Sequence, residues 1–80
     1  GENVEEILKA DLELEQEAIP QLKGAIAHCE SVRDYVSRDL FADILANEEE
    51  HVDVLETHLE MITQMGLPNF IQLQSKPAEA

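Results

Sequence analysis

The chain has 80 residues, one cysteine and a formal net charge of −13. A chain this short forms one small domain, and with Cys29 alone it has no internal disulfide, which leaves a metal or a partner chain as the staple. The acidity excludes a basic nucleic-acid footprint and opposes an anionic membrane surface.

No stretch reads as a signal peptide or as an apolar membrane span, so the expectation is a soluble, cytoplasmic protein. One unpaired thiol suits a reducing compartment. Gly1 stands where a methionine would begin a chain, which points to processing, a tag remnant or a piece of a longer polypeptide. The acidity itself has two readings: ordinary solubility, or a surface that concentrates cations.

The first element opens with Asn3 and Glu6, spaced as a capping pair. Leu8, Leu12, Ile19, Leu22, Ile26 and Cys29 then recur at helical steps, predicting a helix over about 4–30. Pro20 interrupts it, lacking the amide that would bond Gln16, so a kink is expected there and no chain break. Ser31 and Asp34, in the turn "ESVRD", are both candidate caps for the next helix. So short a turn predicts an antiparallel helical hairpin.

The second helix is expected over about 34–65, stopped by Gly66 and by Pro68 beyond it. Pro68 suits the first turn of a short third helix over about 68–75, with Phe70, Ile71 and Leu73 as its apolar part. Residues 76–80 read as a flexible tail. The fold class is therefore all-α: a hairpin plus a short C-terminal helix in one domain over 1–75.

The stretch "NEEEHVDVLE" poses a sharper question, because three glutamates interrupt the apolar pattern of the second helix. At about 100° per residue, with Phe41 at zero, the apolar arc of Ile44, Leu45, Val52, Leu55, Leu59 and Ile62 centres near about 340°. Glu48 falls at about 340°, Glu49 at about 80°, Glu50 at about 180° and His51 at about 280°. Glu48 is thus inward, Glu49 and Glu50 face water, and His51 lies on the stripe's edge. On the first helix Glu15 falls inside the stripe, while Glu13 and Glu17 lie opposite.

Each helix therefore carries one carboxylate where a leucine is expected. Lys9, Lys23, Arg33 and Arg38 fall outside both stripes, and Lys76 is in the tail. A buried carboxylate costs several kcal/mol unless it is paired or coordinates a metal. With no basic partner in the stripe, a cation is the candidate; a protonated carboxyl, a wet cavity or a shifted helix register are the bland readings of a lone inward glutamate. Helical bundles that hold a di-iron or di-manganese pair take a glutamate from each of two helices and Glu-x-x-His from each of two others; Glu15 with Glu48 and His51 is half of that pattern. Oxygen donors with imidazole suit iron or manganese.

Among the other candidates, Cys29 reads as a small core residue, and Met61 and Met65 as packing residues. His28 lies opposite the stripe and is expected in solvent, and His58 sits at an edge, at an interface or the surface.

The segments "GENVEEILKADLELEQ", "ESVRDYVSRDLF" and "EEEHVDVLETHLEMITQMGLPNFIQLQ" resemble the C-terminal half of a bacterioferritin subunit. The resemblance covers nearly the whole chain. It implies that the two long helices are the third and fourth of a ferritin-like four-helix bundle, and "PNFIQLQ" the fifth. It implies a ferroxidase, iron storage and a hollow shell of 24 subunits, with a di-iron centre oxidising Fe(II) to Fe(III). By position, Glu15 resembles a terminal carboxylate, Glu48 a bridging one and His51 an iron ligand. Haem b is implied between subunits, on a methionine of a helix that this chain lacks. Asn69 and Gln72 are implied as polar contacts of a channel. The implied partners are the N-terminal half, as a separate or cleaved chain, and further subunits. Pro20 departs from the family pattern. Two other readings stand beside this one: a hairpin module that assembles without chemistry, and a two-chain di-metal protein from two copies of the hairpin.

Overall fold

A computed structural model describes residues 3–75 of the chain. The expectation of a loose tail over 76–80 and the reading of Gly1 lie outside them. The described residues form three helices: α1, Val4–Ser31; α2, Tyr35–Met65; and α3, Leu67–Ser75. The chain is the helical hairpin with a short third helix that the periodicity predicts.

Each helix end has a local cause. Asn3 caps α1, its Oδ1 accepting from the Glu6 amide at 2.9 Å, and its own amide donates to Glu6 Oε2 at 3.4 Å. α1 then continues through Pro20. Pro20 and Gln16 are both exposed, so water can serve the carbonyl that proline leaves unpaired.

α1 ends in a paired set of backbone bonds. The Arg33 amide donates to Glu30 O at 3.2 Å and the Asp34 amide to Cys29 O at 2.8 Å. Closing that turn puts Arg33 at φ 61, in the left-handed region. It also frees the Asp34 carboxylate, which caps α2 by accepting from the Ser37 amide at 3.1 Å. Ser31, the other expected cap, is the last residue of α1, and its hydroxyl donates back to His28 O. Hydrogen bonds from Ser37, hydroxyl first and amide second, hold the Asp34 carboxyl below its ordinary 3.8.

Gly66 separates α2 from α3 with φ 84 and ψ 151, backbone that an L side chain rarely adopts. Its amide still closes α2, donating to Ile62 O at 2.8 Å. Asn69 on α3 donates to Met65 O at 2.8 Å and satisfies another carbonyl at the end of α2. An added Cβ at Gly66 would lie 4.0 Å from its nearest neighbour, Pro68 Cδ, so space is not the constraint. Gly66→Ala should therefore lower stability by about 1–3 kcal/mol through backbone strain alone. Thermal melts of the two proteins in their assembled state check this; an unchanged melting point would refute it.

The two long helices pack side by side and α3 folds back on α2. The Phe70 ring is buried and meets the His58 ring edge-on, centroids 5.4 Å apart. His58 thus anchors α3, a more specific place than the edge position expected of it. At the hairpin's other end, Arg38 reaches Glu30 at 3.5 Å and Asp39 at 3.0 Å and lies over the Tyr35 ring. Among the described residues only Cys29, Leu55, Ile62 and Phe70 are buried. The rest of both apolar stripes is half-covered or exposed, which is what one layer of helices can achieve.

Candidate metal centre

α1 presents Glu15 on its apolar stripe, with a side chain only 18% exposed. Its Oε1 lies 3.7 Å from His51 Nδ1 on α2. That is too long for a hydrogen bond. The other oxygen, Oε2, is buried and has no hydrogen-bond partner. Among the described residues His51 is the only cationic or ionisable nitrogen group near Glu15, and the lysines and arginines that form ion pairs do so elsewhere. Glu15 is thus an acceptor turned inward with an unmet need.

α2 places the other donors one turn apart. Glu48 is half-buried, whereas Glu49 and Glu50 are exposed. The helix phase expected from the apolar arc is the observed one. The His51 side chain is 49% exposed, in keeping with an edge position, and reaches back toward α1.

The donor types suit a hard divalent cation: carboxylate oxygens and one imidazole. The orphaned Glu15 oxygen is the feature such an ion would satisfy. Among the described residues no group of three His, Cys, Asp or Glu side chains stands close enough to enclose an ion. Two carboxylates and one imidazole match half of the donor pattern of a di-metal helical bundle, whose other donors lie on two further helices.

The expected channel residues have separate roles. Asn69 is engaged with Met65 O, while Gln72 is exposed and lines an open groove of about 340 Å³ with Met65, Asn69 and Leu73. Met61 and Met65 are half-buried. His28 is exposed and Cys29 is buried, as expected.

Sequence reasoning passed over a second groove, about 240 Å³, lined by Glu50, Asp53, Val54, Thr57 and His58. Their spacing along α2 places them on one outward strip, a signal visible in the sequence.

No described helix is long and apolar enough to cross a membrane. Residues 1–65 match the ferritin-like domain family. The chain is similar to a bacterioferritin of Brucella melitensis biotype 1, 42% identical over 99% of this chain and 49% of that protein. It is 48% identical to a bacterial ferritin of Synechocystis sp., over 92% of this chain and 48% of the relative. It is 45% identical to one from Pseudomonas aeruginosa, over 92% of this chain and 49% of the relative. The chain spans about half the length of the curated relatives it matches. Its paired long helices, its inward glutamates and this likeness agree: the chain belongs to the ferritin-like family, with bacterioferritins as its relatives.

Proposed function

We propose that this chain supplies half of a di-iron ferroxidase centre, which oxidises Fe(II) for storage as mineral inside a hollow shell of subunits. The single observation behind this reading is the buried Glu15 oxygen without a partner, set across from His51. The likeness to bacterioferritins supports it.

Fe(II) is the substrate. Glu15, Glu48 and His51 bind it from two helices, and a second helical pair supplies the remaining donors. His51 would bind through the lone pair of an unprotonated ring nitrogen. Each Fe(II) gives one electron to an oxidant such as dioxygen, which is reduced. The carboxylates contribute differentially: negative charge at short range stabilises the trivalent product more than the divalent substrate. Placing them in a partly desolvated stripe strengthens that preference, because water screens less there. A haem b, if it follows the family pattern, sits on a helix outside this chain and takes no part in these steps. Asn69 and Gln72 are proposed to border the route by which ions enter the shell, and the cytoplasm is the proposed compartment.

The test is reconstitution. The chain is mixed with the complementary half of the Synechocystis relative and given Fe(II) in air. Fe(III) absorbance should rise faster than in buffer, and iron should co-elute with the protein on a sizing column. Oxidation at the buffer rate, with iron precipitating free, would overturn the proposal.

A further inference from the structure

The turn of α1 that follows Glu15 lacks a backbone hydrogen bond. Pro20 has no amide to donate to Gln16 O, and its ring crowds that carbonyl. The helix continues through it, and Pro20 and Gln16 are both exposed. Glu15 stands next to the freed carbonyl, and its side chain leaves the helix about 140° around from Pro20. We propose that Pro20 is a positioning residue: it makes the turn from Glu15 to Ile19 a hinge on which Glu15 swings toward Glu48 when a divalent cation enters. The inference rests on the reading of Glu15, Glu48 and His51 as metal donors.

The placement of the donors gives such a hinge a task. Glu15 Oε1 meets His51 Nδ1 at 3.7 Å, yet among the described residues no three such side chains gather. Glu48 precedes His51 by three residues, about 4.5 Å along the axis of α2. In an antiparallel hairpin that displacement runs toward the C-terminal end of α1, the side on which Pro20 stands. Helical side chains lean toward the N-terminus of their own helix, so Glu15 leans away from Glu48. A shift of the backbone at the open turn carries it across.

The direction of bending agrees. Long helices curve with the convex side toward solvent, because carbonyls there tilt out to water. The Gln16 carbonyl is freed on the exposed flank of α1, so opening there closes the helix over α2. The same closure gives the buried, unpartnered Glu15 Oε2 a cation to face, and the attraction between carboxylate and ion drives it. Alanine at this position would bond Gln16 O and stiffen the turn. Proline is the least favourable residue in a helix interior, so its place one turn from a metal donor opposes stability and favours movement.

The experiment compares Pro20→Ala with the unaltered chain, each assembled with the complementary half of the Synechocystis relative. The variant should melt at a higher temperature, because its hydrogen-bond ladder is complete. Exchange of the Ile19 and Gln21 amides, which flank the missing bond, should be about tenfold slower in the metal-free variant. Mn(II), a carboxylate-binding ion, should slow exchange at those amides in the unaltered protein and change it by less than about twofold in the variant. By equilibrium dialysis the variant should bind Mn(II) about tenfold more weakly. A proline that α1 merely tolerates predicts the higher melting temperature and the slower exchange with equal Mn(II) affinity. Equal or tighter Mn(II) binding by the variant would therefore overturn the proposal. So would equal exchange at both amides in the two metal-free proteins. In either case Mn(II) binding and Fe(II) oxidation by the unaltered protein leave the ferroxidase reading standing. If the unaltered protein neither binds Mn(II) nor oxidises Fe(II), both fall.

Discussion

Glu48→Ala in the assembled protein should slow Fe(II) oxidation by at least about 100-fold, whereas Glu50→Ala should leave it within about a factor of two. The two residues are two positions apart in one run of glutamates, so composition and local charge hardly distinguish them. Their directions do. At about 100° per residue they point about 200° apart. Glu48 is half-buried on the apolar stripe, while Glu50 is exposed on the outer groove with Asp53 and His58. Removing a group that merely supports a metal ligand costs about 10–100-fold, so removing a ligand should cost no less than the upper end. An exposed glutamate in a chain this acidic adds little to the field at the site, because water and salt screen it. Stopped-flow initial rates for both variants decide the matter. Equal losses would mean that Glu48 is not a ligand and that the run acts only as a collective negative charge.

Glu15→Leu should separate stability from activity. In the metal-free protein Glu15 has one buried oxygen with no partner and another 3.7 Å from His51. Leucine has similar volume and suits a stripe between Leu12 and Ile19. Replacing buried charge by well-packed apolar volume is often neutral or stabilising by about 1–4 kcal/mol. The metal-free variant should then melt at or above the wild-type temperature. Its Fe(II) oxidation should fall steeply, since one of the three proposed donors is gone. A residue retained against stability is a residue retained for chemistry. Paired thermal melts and oxidation rates measure both effects on the same preparations. A strongly lowered melting point with oxidation intact would make Glu15 a structural residue.

Most of the secondary structure was legible because its causes are local. The Asn3–Glu6 pair, the glycine stop at 66 and the proline in the first turn of α3 act through neighbours three or four residues away. Pro20 is the instructive case. It is a breaker by local rules, yet α1 runs through it, because the apolar stripe on the opposite side holds both halves in phase. The choice between Ser31 and Asp34 was not legible, since both are good caps. It turned on Arg33 accepting a left-handed backbone, which no side-chain preference at 31 or 34 announces.

By itself, the sequence determined the three helices, the inward phase of Glu15 and Glu48, the outward phase of Glu49 and Glu50, and the lack of a basic residue on either stripe. These follow from one number, the rotation per residue, applied within a helix. The tertiary structure alone decided which donors meet. The 3.7 Å approach of Glu15 to His51, the orphaned Glu15 oxygen and the seating of Phe70 on His58 depend on how far α1 slides along α2 and where α3 folds back. That register is the outcome of turn geometry and many weak side-chain contacts summed over two helices, and no local pattern carries it.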